Sequence, residues 1–445
     1  MEIIGFIGLI LAVGSLIYLS VKGMNPFLAA LVATLVVVIT SQLNVFTAFT
    51  VTYATEMSNF IRNFFLMFGF GTAFGRFMDK SGSSEAVADT LFRIFGAKFA
   101  PLTCLIVTWI MAMGGISAVI IIFSIYPIAD PLFRKANITK ALLPAIFLNG
   151  AVVATFPFPG NPSMTNAVLT MTDLGTTAHS APIMGIIVGV VALVATGIYT
   201  MVMSGVEARK GNGYVALQEG AAKGWTQSVE TTGEKNLPPF WSSILPLLTV
   251  IVNMFILRNF LTTVQSIITA LAIATILCGI LNFNSLKGKF LENFTEGYWS
   301  SITPMMLMAG VTAFGTVVGS SPAFQIFVNF ANSISEAFHP YISAAIAVNI
   351  VAAVTGTALG GLTVFANILL PEYLGMAINP DALHRIAVVA STGIDTLPHN
   401  ATFIIYCAVC GVKISTAYKH VFLINVLLPI VMTALCIVLA LNGIV

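Results

Sequence analysis

Charged residues are scarce in this sequence. Of its 445 residues, 8% are Asp, Glu, Lys or Arg, against about 25% in ordinary soluble proteins. A soluble fold of this length needs more charge to cover its surface, so the composition excludes a soluble enzyme, a nucleic-acid-binding protein and a disordered chain. Hydrophobic residues make up 58% of the chain and the mean hydropathy is +0.97. The composition therefore predicts an integral membrane protein embedded in a lipid bilayer.

Familiar catalytic motifs are also missing. The sequence contains no H-E-x-x-H, no G-x-S-x-G and no G-x-x-x-x-G-K-[ST], so neither soluble-type catalysis nor ATP-driven transport is supported. The cysteines all lie in apolar stretches, which favours buried core residues over disulfides or metal ligands. We therefore expect no enzyme activity, no cofactor and no metal centre. The cysteines are Cys104, Cys278, Cys407, Cys410 and Cys436.

Apolar runs long enough to cross about 30 Å of hydrocarbon predict the membrane helices. Two stretches, 141–171 and 384–411, are long enough but are interrupted by polar residues and proline. Two more, 100–130 and 341–371, carry a Gly-Gly pair near the middle and are predicted to be re-entrant hairpins. The uninterrupted runs are 3–21, 26–41, 63–78, 182–203, 240–257, 263–282, 297–318 and 420–442.

The lysines and arginines orient these spans, because such residues concentrate on the cytoplasmic side. With the N-terminus placed outside, 16 of the 19 basic residues fall on the same side and Arg62, Arg258 and Arg385 fall outside. Counting each Gly-Gly segment as two full crossings leaves these assignments unchanged. The distribution predicts that both termini are extracytoplasmic.

Three short motifs recur at nearly one spacing. Thr72-Ala73-Phe74-Gly75 returns 240 residues later as Thr312-Ala313-Phe314-Gly315, Phe158–Asn161 aligns with Leu397–Asn400, and Gly114–Ser117 aligns with Gly360–Thr363. The matches predict two repeats, 1–203 and 240–445, joined by a polar cytoplasmic linker, 204–239. Each repeat has five crossings, one of them interrupted, and one hairpin, and since five is odd the second repeat is inverted. Segments 83–97 and 322–338 are amphipathic and predicted to lie along the membrane surface.

Inverted repeats with interrupted helices are typical of secondary transporters, whose substrate site lies at the interruptions. In the first interruption, three prolines within six residues exclude a continuous helix. Gly160, Asn161, Ser163 and Asn166 follow at the start of a half-helix, whose free N–H groups suit an anion. A proline kink or a loop at the membrane edge is the alternative.

The second interruption contains Asp395 and His399, both deep between apolar runs. Ionisable residues at such depth are costly and usually mark a transport pathway, so Asp395 or His399 is predicted to bind a coupling ion. A capping Asp and a hydrogen-bonded core His are the alternative. Thr396 and Asn400 add polar groups, as do Ser117, Thr357 and Thr363 at the hairpin tips, where close helix packing through small residues is the alternative.

Other ionisable residues are predicted to lie away from the two interruptions. No lysine or arginine falls near either one in the sequence, so an anion is expected to meet helix ends and neutral donors. The remaining histidines are expected at the membrane edges: His179, His339, His384 and His420.

The segment Ala390–Asn400 resembles a stretch of the gluconate permease family, which are gluconate:proton symporters, and especially the branch linked to 3-hydroxybutyrate and similar small monocarboxylates. Pro159–Ser163 and Ala181–Ile183 are similar to the first half of that family, although glutamine is common there where Ser163 and Thr165 stand here. The resemblance implies a proton symporter of the bacterial inner membrane. It also implies membership of the ion transporter superfamily, whose known folds are dimers with hairpin tips and an elevator motion. Site residues carried over by the resemblance are Asn161, Ser163, Thr357, Thr363, Asp395, Thr396, His399 and Asn400.

We therefore expect an all-α polytopic membrane protein of the elevator type that imports a small organic acid anion such as gluconate or 3-hydroxybutyrate with protons. A sodium-coupled carboxylate transporter, with Asp395 as a sodium ligand, and an anion exchanger or exporter of the same fold are the alternatives. A channel and an intramembrane enzyme using Asp395 and His399 are further rivals. The expected partners are the substrate, the bilayer and a second copy of the chain in a homodimer, with no nucleic acid.

Overall fold

The computed structural model describes residues 2–113, 118–161, 163–215, 237–257, 260–261, 263–326 and 338–445. Throughout these ranges the chain is helical and contains no β-strand. These observations agree with the expectation of an all-helical polytopic membrane protein, because the described helices are numerous and several are long and apolar.

The helices of the first part of the chain follow the predicted runs, although α3 extends well beyond the predicted 63–78 and α9 continues past 203 into the first six residues of the predicted linker. They are α1 (Glu2–Val21), α2 (Pro26–Thr40), α3 (Ala54–Lys80), α4 (Ser83–Phe95), α5 (Ala100–Met113), α6 (Ala118–Ala136), α7 (Leu143–Leu148), α8 (Met164–Thr170) and α9 (Pro182–Arg209).

The helices of the second part occur in a similar order. They are α10 (Phe240–Leu257), α11 (Thr263–Leu281), α12 (Phe283–Leu286), α13 (Phe290–Trp299), α14 (Ile302–Ser320), α15 (Pro340–Thr355), α16 (Ala358–Val364), α17 (Leu370–Tyr373), α18 (Pro380–Ala390), α19 (Ala401–Cys410), α20 (Ile414–Val421) and α21 (Leu428–Leu441).

Several helical stretches are long and apolar enough to cross a membrane. Within the described ranges these are Ile4–Val21, Pro182–Arg209, Phe290–Ser320 and Ile414–Leu441. α4 and α5 together also reach the required length but are bent by 109° where they meet. α8, α16 and α19 are much shorter than the roughly 20 residues of a full span, as expected for parts of interrupted helices or hairpins.

The hairpin predicted at 341–371 turns four residues before its Gly-Gly pair. The turn lies at Gly356, whose φ of +67° suits glycine, whereas Gly360 and Gly361 lie inside α16. A Cβ on Gly361 would come within 2.6 Å of the Ala352 Cβ, so this glycine permits the two arms of the hairpin to pack closely. The other predicted tip, Gly114–Ser117, lies outside the described residues, as do 216–236 of the linker and 327–337.

Helix packing divides the described chain into two groups. In the paired-helix group, α1 packs on α2, α10 packs on α11, and α3 packs along α11, α13 and α14. The broken-helix group contains the hairpin arms and interrupted helices, and in it α5 contacts α7 and α9 while α18 contacts α15 and α21. The groups meet mainly where α14 packs on α19 and α3 packs on α6. Buried apolar side chains continue through both groups, and all five cysteines are among them, as their surroundings predict.

The segment after α9, in the stretch predicted to be a linker, is anchored to a buried ion pair. The Lys140 Nζ lies 2.8 Å from Asp130 Oδ1, and both side chains are almost entirely buried. The Tyr214 hydroxyl donates to both oxygens of Asp130, at 3.0 and 2.9 Å, while its backbone N–H donates to Asn137 Oδ1. Burial, and then the charge of Asp130, raises the pKa of the Tyr214 phenol, so the phenol stays protonated and donates.

Candidate functional site

The first interrupted helix ends at a run of prolines. α7 continues into a π-helical turn, Asn149–Val153, and the chain then leaves helical geometry until α8 begins at Met164. Prolines in this segment cannot donate backbone hydrogen bonds, which prevents a continuous helix. Ser163 caps α8, since its extended backbone places its Oγ to accept a hydrogen bond from the Asn166 N–H. The predicted half-helix start is thus confirmed.

Asn161 braces this break from within. Its Nδ2 donates to the carbonyls of Phe156 and Phe158 at 2.9 and 2.7 Å, and its Oδ1 accepts from the N–H and hydroxyl of Ser163 at 3.2 and 2.6 Å. Both donors and both lone pairs of the amide are therefore used. In this conformation the Asn161 side chain stabilises the non-helical segment between α7 and α8.

Asn166 joins the break to the second half of the chain. Its Nδ2 donates to the Asn161 carbonyl at 3.0 Å, and its Oδ1 lies 2.7 Å from Nε2 of His384 on α18. Because Oδ1 can only accept, His384 donates from Nε2. The other ring nitrogen of His384 lies 2.7 Å from the Thr176 hydroxyl, so this buried histidine is fully satisfied.

Arg385 adds hydrogen-bond donors to the proline-rich break from the second half of the chain. Its guanidinium is completely buried. It donates to carbonyl oxygens on both sides of α8: to Phe156 at 3.2 Å, Ala178 at 3.1 Å and Ser180 at 3.1 Å from Nε. Carbonyls left free by a break must be satisfied when water is excluded. Arg385 does this with one rigid, planar group.

One expectation about ionisable residues is wrong. An arginine does lie at the first break, because α18 runs through the protein interior beside it and Arg385 donates to the Phe156 carbonyl. His384 and His420, which were predicted at the membrane edges, are both completely buried, and His420 Nδ1 is 2.9 Å from the Tyr199 hydroxyl. His179 and His339 are exposed.

The second break uses asparagine in the same way as the first. α18 ends at Ala390, a short 3-10 turn spans Ile394–Thr396, and α19 begins at Ala401 with Asn400 as its cap. The Asn400 Nδ2 donates to the Asp395 carbonyl, five residues earlier, just as Asn161 donates to Phe156. It also donates to the Gly356 carbonyl at 3.1 Å, which ties the break to the hairpin tip.

Asp395 strengthens this tie. Its carboxylate accepts from the Thr396 hydroxyl at 2.9 Å and lies near the backbone N–H groups of Thr396 and Ala358. Ala358 is the first residue of α16, so the acid lies near the N-terminal end of that helix, where a negative charge is favourable. On the other arm, Asn349 Oδ1 accepts from the Ile394 N–H at 3.1 Å. The hairpin and the second break therefore form one connected unit.

His399 has the chemistry of a ligand-binding residue. Only 2% of the residue is exposed. Neither ring nitrogen makes a well-formed hydrogen bond, although the Ala353 backbone is within reach. The ring lies against Gly356, where a Cβ would come within 2.9 Å of Nε2. It lines a cavity of about 210 Å³. Because buried polar groups are normally hydrogen-bonded, this imidazole lacks a partner that a molecule in the cavity can provide.

Hydroxyl groups from two directions complete this central cavity. Thr355 and Thr357 line it from the hairpin tip, and Thr312 and Thr316 line it from α14. The sequence interpretation missed Thr312 and Thr316. The recurring Thr-Ala-Phe-Gly motif at 312–315 was the available signal, but it was interpreted only as a repeat.

The remaining predicted site residues lie around this cavity or apart from it. Thr357 lines it and caps α16 by accepting from the Gly360 N–H. Thr363 donates to the Leu359 carbonyl of its own helix, at 2.8 Å. Gly160, with φ +71°, lies against His179, where a Cβ would be 2.5 Å from the imidazole ring. Ser117 is outside the described residues.

The two breaks do not share the central cavity in this conformation. The described residues that line it come from α14, the hairpin tip and the second break. The first break reaches the same unit by packing of α8 against α16 and by the Asn166–His384 contact. Among the residues that the structure describes, no three His, Cys, Asp or Glu side chains cluster as metal ligands would.

Interrupted helices and a hairpin around a small polar cavity, in an all-helical membrane protein, are typical of secondary transporters. The chain belongs to the GntP family of permeases, whose family model matches residues 4–442. It is also 26% identical over 472 aligned positions to a Bacillus subtilis (strain 168) protein called uncharacterized transporter YxjC, with 98% of this chain and 99% of that protein covered. The resemblance to the gluconate permeases is confirmed, and membership of this permease family makes the protein a secondary transporter, a class generally without catalytic activity.

Proposed function

We propose that the protein imports a small organic acid anion, such as gluconate or 3-hydroxybutyrate, together with protons. The observation that carries the proposal is the unpartnered, buried imidazole of His399 in a cavity lined by threonine hydroxyls. An imidazole N–H can donate to a carboxylate, and hydroxyls can donate to or accept from the substrate's own hydroxyl groups. Family membership supports a transport function, and the proposed substrate rests on the chemistry of the residues that line this cavity.

The electrostatics of the site favour a substrate of low charge. The guanidinium of Arg385 is engaged by backbone carbonyls, so it is a positioning residue for the first break. Among the described residues that line the central cavity, His399 is the one ionisable side chain. A monocarboxylate can be held by one imidazole and neutral donors, whereas a tricarboxylate needs more positive charge to replace its lost hydration.

Proton coupling is assigned to Asp395, with His399 contacting the substrate. The carboxylate of Asp395 lies near the N-terminal end of α16, which begins at Ala358. Protonation removes its negative charge and weakens this contact with the helix end, so a proton and the hairpin tip are linked. The alternative is that Asp395 serves as one oxygen ligand of a sodium ion.

The proposed architecture is a pair of inverted repeats, 1–203 and 240–445, joined by the cytoplasmic linker 204–239. The order of elements supports it: the hairpin α5–α6 and broken helix α7–α8 have counterparts in α15–α16 and α18–α19. The common asparagine bonds across both breaks support it too. By family resemblance we propose a homodimer in the bacterial inner membrane that moves by an elevator mechanism. The distribution of basic residues supports extracytoplasmic termini.

The test is uptake of radiolabelled hydroxy acids into proteoliposomes under a pH gradient or a sodium gradient imposed separately. Accumulation of gluconate or 3-hydroxybutyrate with the pH gradient alone is the expected result. Accumulation that requires sodium overturns proton coupling and makes Asp395 a metal ligand. Equilibration without accumulation, with stimulation by substrate on the opposite side, identifies an exchanger.

A further inference from the structure

A second, larger cavity of about 550 Å³ opens between the two helix groups. One wall is the connection between α1 and α2, residues 20–26. The facing wall is the connection between α19 and α20, around Val412–Ser415, with Cys407 of α19 below it. Neither the central cavity nor the two breaks contribute to this lining. In the proposed orientation this cavity lies at the cytoplasmic side.

The lining of this cavity has the chemistry of an anion site. It includes two lysines, Lys22 and Lys413, from opposite walls and no acidic residue among the residues that form it. α20 begins directly after Lys413, whose side chain does not cap it, so the free N–H groups of its first turn add partial positive charge. α2 begins at the same cavity, at Pro26.

Ser20 gives an independent indication of a ligand. It lines the same cavity and is 2% exposed, and its buried hydroxyl has no hydrogen-bond partner in the described structure. A serine within a helix commonly bonds to a carbonyl of the preceding turn, as Thr34 does on α2. A buried hydroxyl without a partner is costly unless something else binds it.

The large cavity is in line with the central one. α14 contributes Leu307 to the large cavity and Val311, four residues on, to the central cavity. α19 contributes Ile404 to the large cavity and Ala401 to the central cavity. At 1.5 Å per helical residue, about 6 Å or less of helix separates the two linings on either side.

We infer that the large cavity is a vestibule that binds the transported carboxylate on the side of Lys22 and Lys413, next to the central site. The inference rests on the proposed function, since its ligand is the transported acid. In this vestibule the lysines attract the anion, Ser20 donates to it, and one turn each of α14 and α19 forms the barrier to His399.

The first test measures the charge of the cavity without transport. In the full-length protein, Ser415→Cys places a thiol on the lining, and its reaction rates with an anionic and a cationic methanethiosulfonate are compared. Lys22→Gln and Lys413→Gln should each lower the anionic-to-cationic rate ratio by about threefold or more. Lys22 is decisive because it lies on the opposite wall. Lys289→Gln, an exposed lysine that does not line the cavity, should leave the ratio unchanged. An unchanged ratio in the Lys22 variant overturns the inference.

The second test identifies the anion. 3-Hydroxybutyrate or gluconate, whichever is transported, should slow labelling of Ser415→Cys. In transport measured from each face separately, Lys22→Gln and Lys413→Gln should raise KM severalfold at the face where the reagent reaches this thiol and leave KM at the other face unchanged. Absence of protection by the transported acid overturns the vestibule. Protection that depends on phosphatidylglycerol in the vesicles also overturns it and identifies the cavity as a lipid headgroup site.

The two proposals fail in different ways. If the wild-type protein transports none of the acids but the rate ratio responds to the lysines, the proposed function and the transport role of the cavity are both wrong, while its positive charge stands. If transport is normal and neither the ratio nor KM responds, the vestibule alone is wrong.

Discussion

Asn149 and Asn425 each donate a hydrogen bond to a backbone carbonyl of the other's helix. The Asn149 Nδ2 lies 2.7 Å from the Ile424 oxygen, and the Asn425 Nδ2 lies 3.1 Å from the Ala145 oxygen. Both side chains are completely buried. Each lies within a π-helical turn, where the regular backbone pattern is disturbed. The reciprocal bonds fasten the first interrupted helix to the last helix of the chain.

A double-mutant cycle should detect this reciprocity. Asn149→Ala and Asn425→Ala should each lower the free energy of unfolding by about 1 kcal/mol. The double variant should lose less free energy of unfolding than the two single variants added together, by at least about 0.5 kcal/mol. The reason is that removing either bond already loosens the alignment of the two helices on which the other bond depends. Unfolding in mixed micelles measures these values. Asn253→Ala is the control, since that amide bonds within its own helix, and it should combine additively with Asn425→Ala.

The unpartnered imidazole of His399 should be essential for uptake. His399→Ala should lower kcat/KM by at least about tenfold, equal to about 1.4 kcal/mol of lost stabilisation. Thr312→Val, which removes a hydroxyl from the same cavity, should raise KM severalfold. Thr275→Val removes a buried hydroxyl that bonds within α11 and should change neither parameter. Normal uptake by His399→Ala would exclude the central cavity as the substrate site.

Replacing Asp395 should abolish proton-coupled accumulation but preserve substrate exchange. Asp395→Asn keeps an oxygen that can accept from the Thr396 hydroxyl but cannot take up and release a proton. Accumulation driven by a pH gradient should disappear, while counterflow of labelled against unlabelled substrate should persist. Asp381→Asn, at the Asp that binds Ser180, should retain both activities. If Asp395→Asn still accumulates substrate against the gradient, another group carries the proton.

Arg385 should be needed for folding of the first break more than for binding. In Arg385→Lys, a single ammonium cannot reach carbonyls on both sides of α8 as the planar guanidinium does. Leaving such groups unsatisfied should cost about 2–4 kcal/mol of stability, seen as a lower Tm in detergent. Arg93→Lys, whose parent side chain is 78% exposed, should change stability by less than about 0.5 kcal/mol. Equal Tm values for the two variants would contradict the clamp.

The anchor at Tyr214 should be insensitive to physiological pH. Because its raised pKa keeps the phenol protonated, the bonds to Asp130 persist below that pKa and are lost only in strong alkali. Tyr214→Phe should lower stability by about 1–3 kcal/mol, equally at pH 6 and pH 8, and speed amide exchange at Gly213–Val215. Tyr18→Phe, at an exposed tyrosine, is the control. A loss of stability confined to one of these pH values would contradict the assignment.

Helices and interruptions were predictable because their causes are local. Apolar runs set the spans, and the prolines around Pro159 predicted the first interruption. The half-helix starts predicted near Asn161 and His399 lie within three residues of the observed starts of α8 and α19, whose caps are Ser163 and Asn400. Even the asparagine bonds across each break have a local origin, since Asn161 and Asn400 both reach a carbonyl five residues back.

The contents of the interior were less predictable because they depend on contacts between distant segments. A charged side chain in an otherwise apolar sequence indicates an aqueous edge, and on that basis no arginine was expected at the first break. What stabilises Arg385 and His384 in the interior is a set of carbonyl and amide groups more than 200 residues earlier in the chain. Thr312 was missed for the same reason, since only the packing of α14 against α19 brings it to His399.

The clamp also imposes an order on biosynthesis. Phe156 and Arg385 are separated by 229 residues. At about 5–20 residues per second, a ribosome needs roughly 10–45 seconds to make the arginine after the carbonyl it will bind. During that interval the Ser180 carbonyl lacks its guanidinium donor, whereas the Phe156 and Phe158 carbonyls can already bind Asn161. The first break therefore acquires its full set of hydrogen bonds only once α18 has been made.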